Sequence, residues 1–173
     1  MTKLSHWNRM AGMAGAAALA FAVTTPVSVA ADQAAAALDR HQQGVDAFNV
    51  QDAEAVADIY AEDAVLHDPQ VPEPIRGREA IRESYEQMLQ SFPDAEVTML
   101  NVHAENGLIM YEFRFTGTNE GPIATPEGDI PATGQRVEMR MAVFSDVDED
   151  GRFLDTRRYY DTMEMMQQLG LDE

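Results

Sequence analysis

Near its carboxyl end the chain reads RFLDTRRYYDTMEMMQQLG from Arg152 to Gly170, a strand pattern running into a short helix. Side chains alternate faces along a strand. Asp155, Arg157, Tyr159 and Asp161 therefore share one face, and Leu154, Thr156, Arg158 and Tyr160 share the other. The first set lines up two carboxylates, a guanidinium and a phenol, which suits a polar-lined pocket in which Asp161 carries a proton. Asp161-Thr162-Met163-Glu164 also fits the D-x-x-E pattern of a helix N-cap with a capping box. From spacing alone the cap is the commoner use of such an aspartate. Both roles are compatible only if one carboxylate oxygen stays free.

Further along the same argument stand Tyr60, His67, Glu112 and Arg140. His67 ends a short apolar run, Val65-Leu66, and precedes Asp68-Pro69. Its ring either enters a cavity or bonds the loop backbone. Arg140 lies between Met139 and Met141, on the opposite strand face. It either holds an anion in a pocket or forms a cross-strand ion pair, with Glu112 as the partner.

Other chemistries are poorly supplied. The chain has no cysteine, so thiol catalysis and disulfides are excluded. Its one lysine is Lys3, near the amino end. The four histidines show no metal-ligand spacing. Asp146-x-Asp148-x-Asp150-Gly151 matches half of an EF-hand loop, but the twelfth position is Arg157 and the flanks read as strands, so a hairpin turn is expected and no metal. Ser84, Ser91 and Ser145 lie in no nucleophile elbow. Twelve basic against thirty acidic residues give a net charge of −18. That surface repels phosphate backbones and anionic lipids, which argues against nucleic-acid and membrane partners.

The elements that must position these groups follow from periodicity. Residues 1–30 have the order of a signal peptide: Lys3 and Arg9, an apolar run from Met10 to Val23, then small residues ending at Ala30. Cleavage there leaves residues 31–173 as a single domain, periplasmic or secreted. Residues 31–49 read as a helix with Leu38, His41, Val45 and Phe48 in one stripe. Asp52 caps a shorter helix carrying Val56 and Tyr60, and a strand follows at 64–67. Three prolines between Pro69 and Pro74 forbid regular structure. A third helix after Gly77 presents Ile81, Tyr85, Met88 and Phe92 on one face. Strands follow at 96–103, 108–118 and 136–147, the first two joined by Asn106-Gly107. Helices first and strands after make an α+β domain with helices on one face of a mostly antiparallel sheet and a cavity between the layers.

The ordered pieces Tyr60-Ala-Glu-Asp-Ala-Val-Leu-His-Asp-Pro69, Arg76-Gly-Arg-Glu-Ala-Ile-Arg-Glu83, Phe92-Pro-Asp94, Thr116-Gly-Thr118, Pro131-Ala-Thr-Gly134, Tyr160-Asp161 and Gln168-Leu-Gly170 resemble the SnoaL-like polyketide cyclase group of the nuclear transport factor 2-like superfamily. The resemblance implies a cone-shaped α+β barrel, its curved sheet wrapped around three amino-terminal helices and closed by a short terminal helix. It implies one small-molecule pocket, acid/base chemistry beside a carbonyl without any cofactor, and a homodimer. Asp161 falls on the family's acid/base aspartate, His67 on a recurrent pocket histidine and Arg140 on a recurrent strand arginine. On that footing Asp161 and His67 are the expected catalytic pair, and Tyr60, Arg140, Tyr159 and Glu112 are expected to hold substrate. A second reading uses the same cavity in a non-catalytic periplasmic binding protein for an apolar or aromatic molecule. Glu112-Phe113 and Asn119 depart from the family's usual residues around Thr116-Gly-Thr118.

Overall fold

The computed structural model describes residues 26–125 and 128–171. The apolar run Met10–Val23 lies outside the described residues. Helix α1 spans Pro26–Asn49, α2 Ala53–Ala57, α3 Arg78–Ser91 and α4 Thr162–Gln168. The strands are β1 Tyr60–His67, β2 Ile75–Arg76, β3 Glu96–Glu105, β4 Leu108–Thr118, β5 Arg136–Val147 and β6 Phe153–Tyr159. They form one six-stranded sheet in the order β2-β1-β6-β5-β4-β3. Only β1 and β6 pair in parallel; the other neighbours are antiparallel. The sheet curves around the helices without closing, its two ends being β2 and β3.

α1 begins before the expected first residue, 31, with Pro26 in its first turn, where a missing N–H costs nothing. Its buried stripe is Ala37, His41, Gly44, Ala47 and Phe48; Leu38, expected inside, is exposed. Asp52 caps α2 as expected, its side chain accepting from Ala55 N at 2.9 Å. Ile81, Leu89 and Phe92 bury the inner side of α3 against the sheet. One apolar cluster gathers Phe48, Val56, Leu89, Phe92, Phe115, Met139 and Leu169. A second, toward β1 and β6, gathers Ile59, Tyr60, Leu66, Ile81, Ile109 and Phe153.

The β5–β6 hairpin decides which way the last strand faces. Val147 pairs with Phe153, but Asp146 pairs with Asp155, so Leu154 is an extra residue on the β6 side. Such a bulge reverses the side-chain parity across it. Phe153 is therefore buried, Leu154 is exposed, and Thr156 turns inward to share a 2.7 Å hydrogen bond with Ser145. At the turn itself, Gly151 has φ +75° and its backbone abuts Ala36 and Ala37 of α1. A Cβ there would lie 2.5 Å from that helix backbone, so only glycine fits. Asp148 Oδ1 accepts from the N–H groups of Asp150 and Arg152, closing the expected hairpin turn, which packs on α1 at Gly151 and leaves Glu149 and Asp150 exposed.

Candidate active site

Between the helices and the concave face of the sheet lies a cavity of about 240 Å³. Most of its wall is apolar: Phe48, Phe92, Phe113 and Phe115 with Met88, Met99, Met139, Met141 and Met165. The β4 and β5 contributions follow strand parity, since Tyr111, Phe113, Phe115, Met139 and Met141 all fall on the inward face.

One region of the wall is polar and internally bonded. Arg158, inward on β6, donates from Nη1 to Asp68 Oδ2 at 3.2 Å and from Nη2 to the Tyr85 hydroxyl at 2.5 Å. Its guanidinium also stands 5.0 Å from the centroid of the Tyr85 ring, within cation–π range. Tyr160 donates to Asp68 Oδ1 at 2.7 Å. The N–H of Gln70 donates to the same oxygen at 3.0 Å, folding the start of the proline-rich loop around Asp68. Behind this group the Tyr60 and Tyr85 hydroxyls lie 3.0 Å apart. The side chains of Arg158 and Asp68 are only 20% and 13% exposed. Desolvation works against the Arg158 charge, but Tyr85, Tyr60 and Asp68 outweigh it, and the guanidinium stays protonated. Burial, then the Asp68 carboxylate, push the Tyr160 phenol well above its ordinary range.

His41 enters the wall from α1, its ring 4.3 Å from that of Tyr111. Its Nε2 is buried and finds no hydrogen-bond partner among the described residues. Burial lowers its pKa from 6.5 to about 4, so the imidazole is neutral at pH 7.

None of the residues expected to form the site lines the cavity, and of them Tyr60 alone touches its polar group. Asp161 is the N-cap of α4, exposed, with Oδ1 accepting from Met163 N at 2.9 Å and Glu164 N at 3.0 Å. It does not line the cavity. The spacing-based expectation of a cap holds, and the placement of a proton carrier in the pocket does not. His67, with a side chain 42% exposed, stands on the outer face of β1 with Nε2 3.3 Å from Asp155. Arg157 joins that outer chain of charges, bonding both Asp155 and Asp146 at 3.0 Å. Arg140 is 78% exposed and its Nη1 lies 3.9 Å from Glu112, so the cross-strand pair is formed and the guanidinium lies outside the cavity. Such an exposed pair contributes little to stability. Tyr159 is 55% exposed and meets Phe144 edge-on outside the sheet. Tyr60 is fully buried and reaches the cavity only through Tyr85.

Alternation holds along β6 from Asp155 to Tyr159, but Leu154, expected on the face of Thr156 and Arg158, is turned outward by the bulge, and the face expected to line the pocket is the outer one. Arg158 and Tyr160 were legible as a pair on one face. Asp68 was hidden in what read as loop punctuation, Asp68-Pro69, and Tyr85 in an apolar helix stripe. A usable signal was that the Asp155–Arg157–Tyr159 face is polar throughout, as a solvated face is.

The sequence model of the SnoaL-like domain family matches residues 41–156, two-thirds of the chain. None of the curated proteins matches. Among solved structures, TsrD from Streptomyces laurentii superposes with a TM-score of 0.67 at 22% identity, over 79% of this chain and 96% of its own. IdmH from Streptomyces antibioticus, a candidate polyketide cyclase, gives 0.61 at 29% identity, over 78% and 98%. An LEH-like epoxide hydrolase of M. tuberculosis gives 0.60 at 20% identity, over 79% and 91%.

Proposed function

The chain belongs to the SnoaL-like domain family, and from that premise we propose that it is an acid/base enzyme acting beside the carbonyl of a small, mostly apolar molecule held in its cavity. The observation that carries the reading is the Asp68–Arg158–Tyr85 group set into an otherwise apolar chamber. An ion pair so largely withdrawn from water adds little to stability compared with well-packed apolar residues. Its presence on a cavity wall fits a chemical use. Asp68 Oδ2, which accepts a single bond from Arg158, takes a proton from the carbon next to the carbonyl. The electron pair moves to the carbonyl oxygen, where Arg158 and the Tyr85 hydroxyl stabilise the charge. Tyr85 Oη accepts from Arg158 and can accept from Tyr60, which leaves its own proton free for the ligand. Asp68 returns the proton at the carbon that the reaction requires.

A phenolate imitates the oxyanion of such an enolate. Bound 4-nitrophenol is expected to ionise at lower pH than the free phenol, followed by its visible absorbance. Arg158→Met and Tyr85→Phe should each abolish that shift. A bound phenol that ionises at the same or a higher pH in the wild-type protein would sink the role given to this group.

The second reading, a non-catalytic binder of an apolar or aromatic molecule, draws support from the methionine-rich wall, since methionine adapts to varied ligands. It predicts ligand retention with no proton exchange. Export belongs to the proposal in either case, resting on residues 1–30. Protein recovered from the periplasmic fraction should begin at Ala31, which would start helix α1 five residues later than Pro26. A homodimer through the outer face of the sheet, where Phe144 and Tyr159 are exposed, completes the reading.

A further inference from the structure

The geometry points to a substrate class: neutral carbonyl compounds of one or two rings, and not the three- and four-ring frameworks that a larger chamber would accept. This rests on the cavity being the site, as proposed above. An apolar cavity of ~150 Å³ holds benzene, so one of about 240 Å³ holds on the order of ten to thirteen non-hydrogen atoms. Pockets for drug-sized ligands start near ~300 Å³.

The wall formed by the link between β4 and β5 is pinned, so the chamber cannot enlarge there at low cost. Ile123 and Ala124, from the link between β4 and β5, line the cavity. Asn119, fully buried, fastens that link. Its Nδ2 donates to Ser91 O at 3.2 Å and to Gly121 O at 2.8 Å, and its Oδ1 accepts from Thr133 N at 2.8 Å. Ser91 Oγ adds a 2.6 Å bond to Pro122 O, and Ile123 pairs with Ile130 across the link. Gly121 packs so closely that a Cβ would stand 2.2 Å from Gln90 O on α3. These contacts set Ile123 as a fixed stop. On another side Gln70 bonds the Met165 sulfur at 2.8 Å, tying the proline-rich loop to α4.

Charge and geometry set the second limit. Arg158 is already paired with Asp68, so Arg158 and Tyr85 together serve one carbonyl or phenolate oxygen, while the second oxygen of a full carboxylate would find no cation of its own and would face the Asp68 carboxylate.

Equilibrium dialysis of the full chain against 1-tetralone, 1-naphthoate and a tetracyclic aromatic ketone tests this, with saturable retention at one site per chain as the readout. The expected result is retention of 1-tetralone at least tenfold tighter than either of the others, with Ile123→Ala narrowing the gap to the tetracyclic compound. Retention of the tetracyclic ketone or of 1-naphthoate within threefold of 1-tetralone overturns the size or the charge limit, while leaving the cavity as the site. An unchanged gap in a folded Ile123→Ala protein overturns the role of that residue as the stop. Retention of none of the three by folded wild-type protein removes the underlying reading instead.

Discussion

A histidine that finds no partner among the described residues, inside an apolar wall, is a stability statement about pH. His41 has its pKa lowered from 6.5 to about 4 by desolvation, so the folded state resists protonation that the unfolded chain accepts. Above pH 6.5 both states are neutral and His41 is indifferent. As pH falls from there toward 4 the unfolded chain gains a proton that the folded chain refuses, and stability is lost. The full loss, below pH 4, is about 3 kcal/mol for a shift of this size. Replacing the ring by an apolar one of similar size removes the effect. Urea denaturation at pH 7 and pH 4 should show His41→Phe losing about 2–3 kcal/mol less than the wild-type protein over that interval. Equal losses would mean that the imidazole finds an acceptor in solution. The sequence located His41 in the buried stripe of its helix, but not the lack of a partner. That lack depends on Tyr111 and the rest of the wall, which arrive from distant parts of the chain.

At the scale of the element, α4 and β6 show what local pattern can and cannot give. Asp161 as a cap was legible because its partners, Met163 and Glu164, are two and three residues away. Asp161→Ala should cost about 1 kcal/mol of stability, read by chemical denaturation, while Asp161→Asn, itself a good cap, should cost almost nothing. If Asp161→Asn destabilised as much as Asp161→Ala, the cap would not be what holds that side chain. The facing of β6 was not legible, because it is set by the register with β5, in which Leu154 is left over as a bulge. A one-residue slip in register exchanges the faces of a strand. Alternation identifies which residues travel together, and only the partner strand says which way they point. The strands at 108–118 and 136–147 were read with their observed bounds because both are long, alternating and flanked by turns. The two-residue β2 was missed, having no pattern to show.

At the scale of the molecule, the family's α+β architecture was carried by short pieces spread along the whole chain, and the six-stranded sheet with its helices follows it. The cavity in that architecture has other residues on its wall than those expected. The charged groups placed in the pocket by strand alternation and by resemblance lie on the outer face or at the helix cap. The chamber is instead served by Asp68, Arg158, Tyr85 and Tyr160. Exchange of the protons next to the carbonyl of 1-tetralone for deuterium, followed by NMR in deuterated buffer, compares the two placements directly. The account predicts that wild-type and Asp161→Asn proteins catalyse exchange at equal rates and that a folded Asp68→Asn protein is slower by about 100-fold or more, the usual reach of a general base. Loss of exchange in Asp161→Asn with full exchange in Asp68→Asn would contradict it.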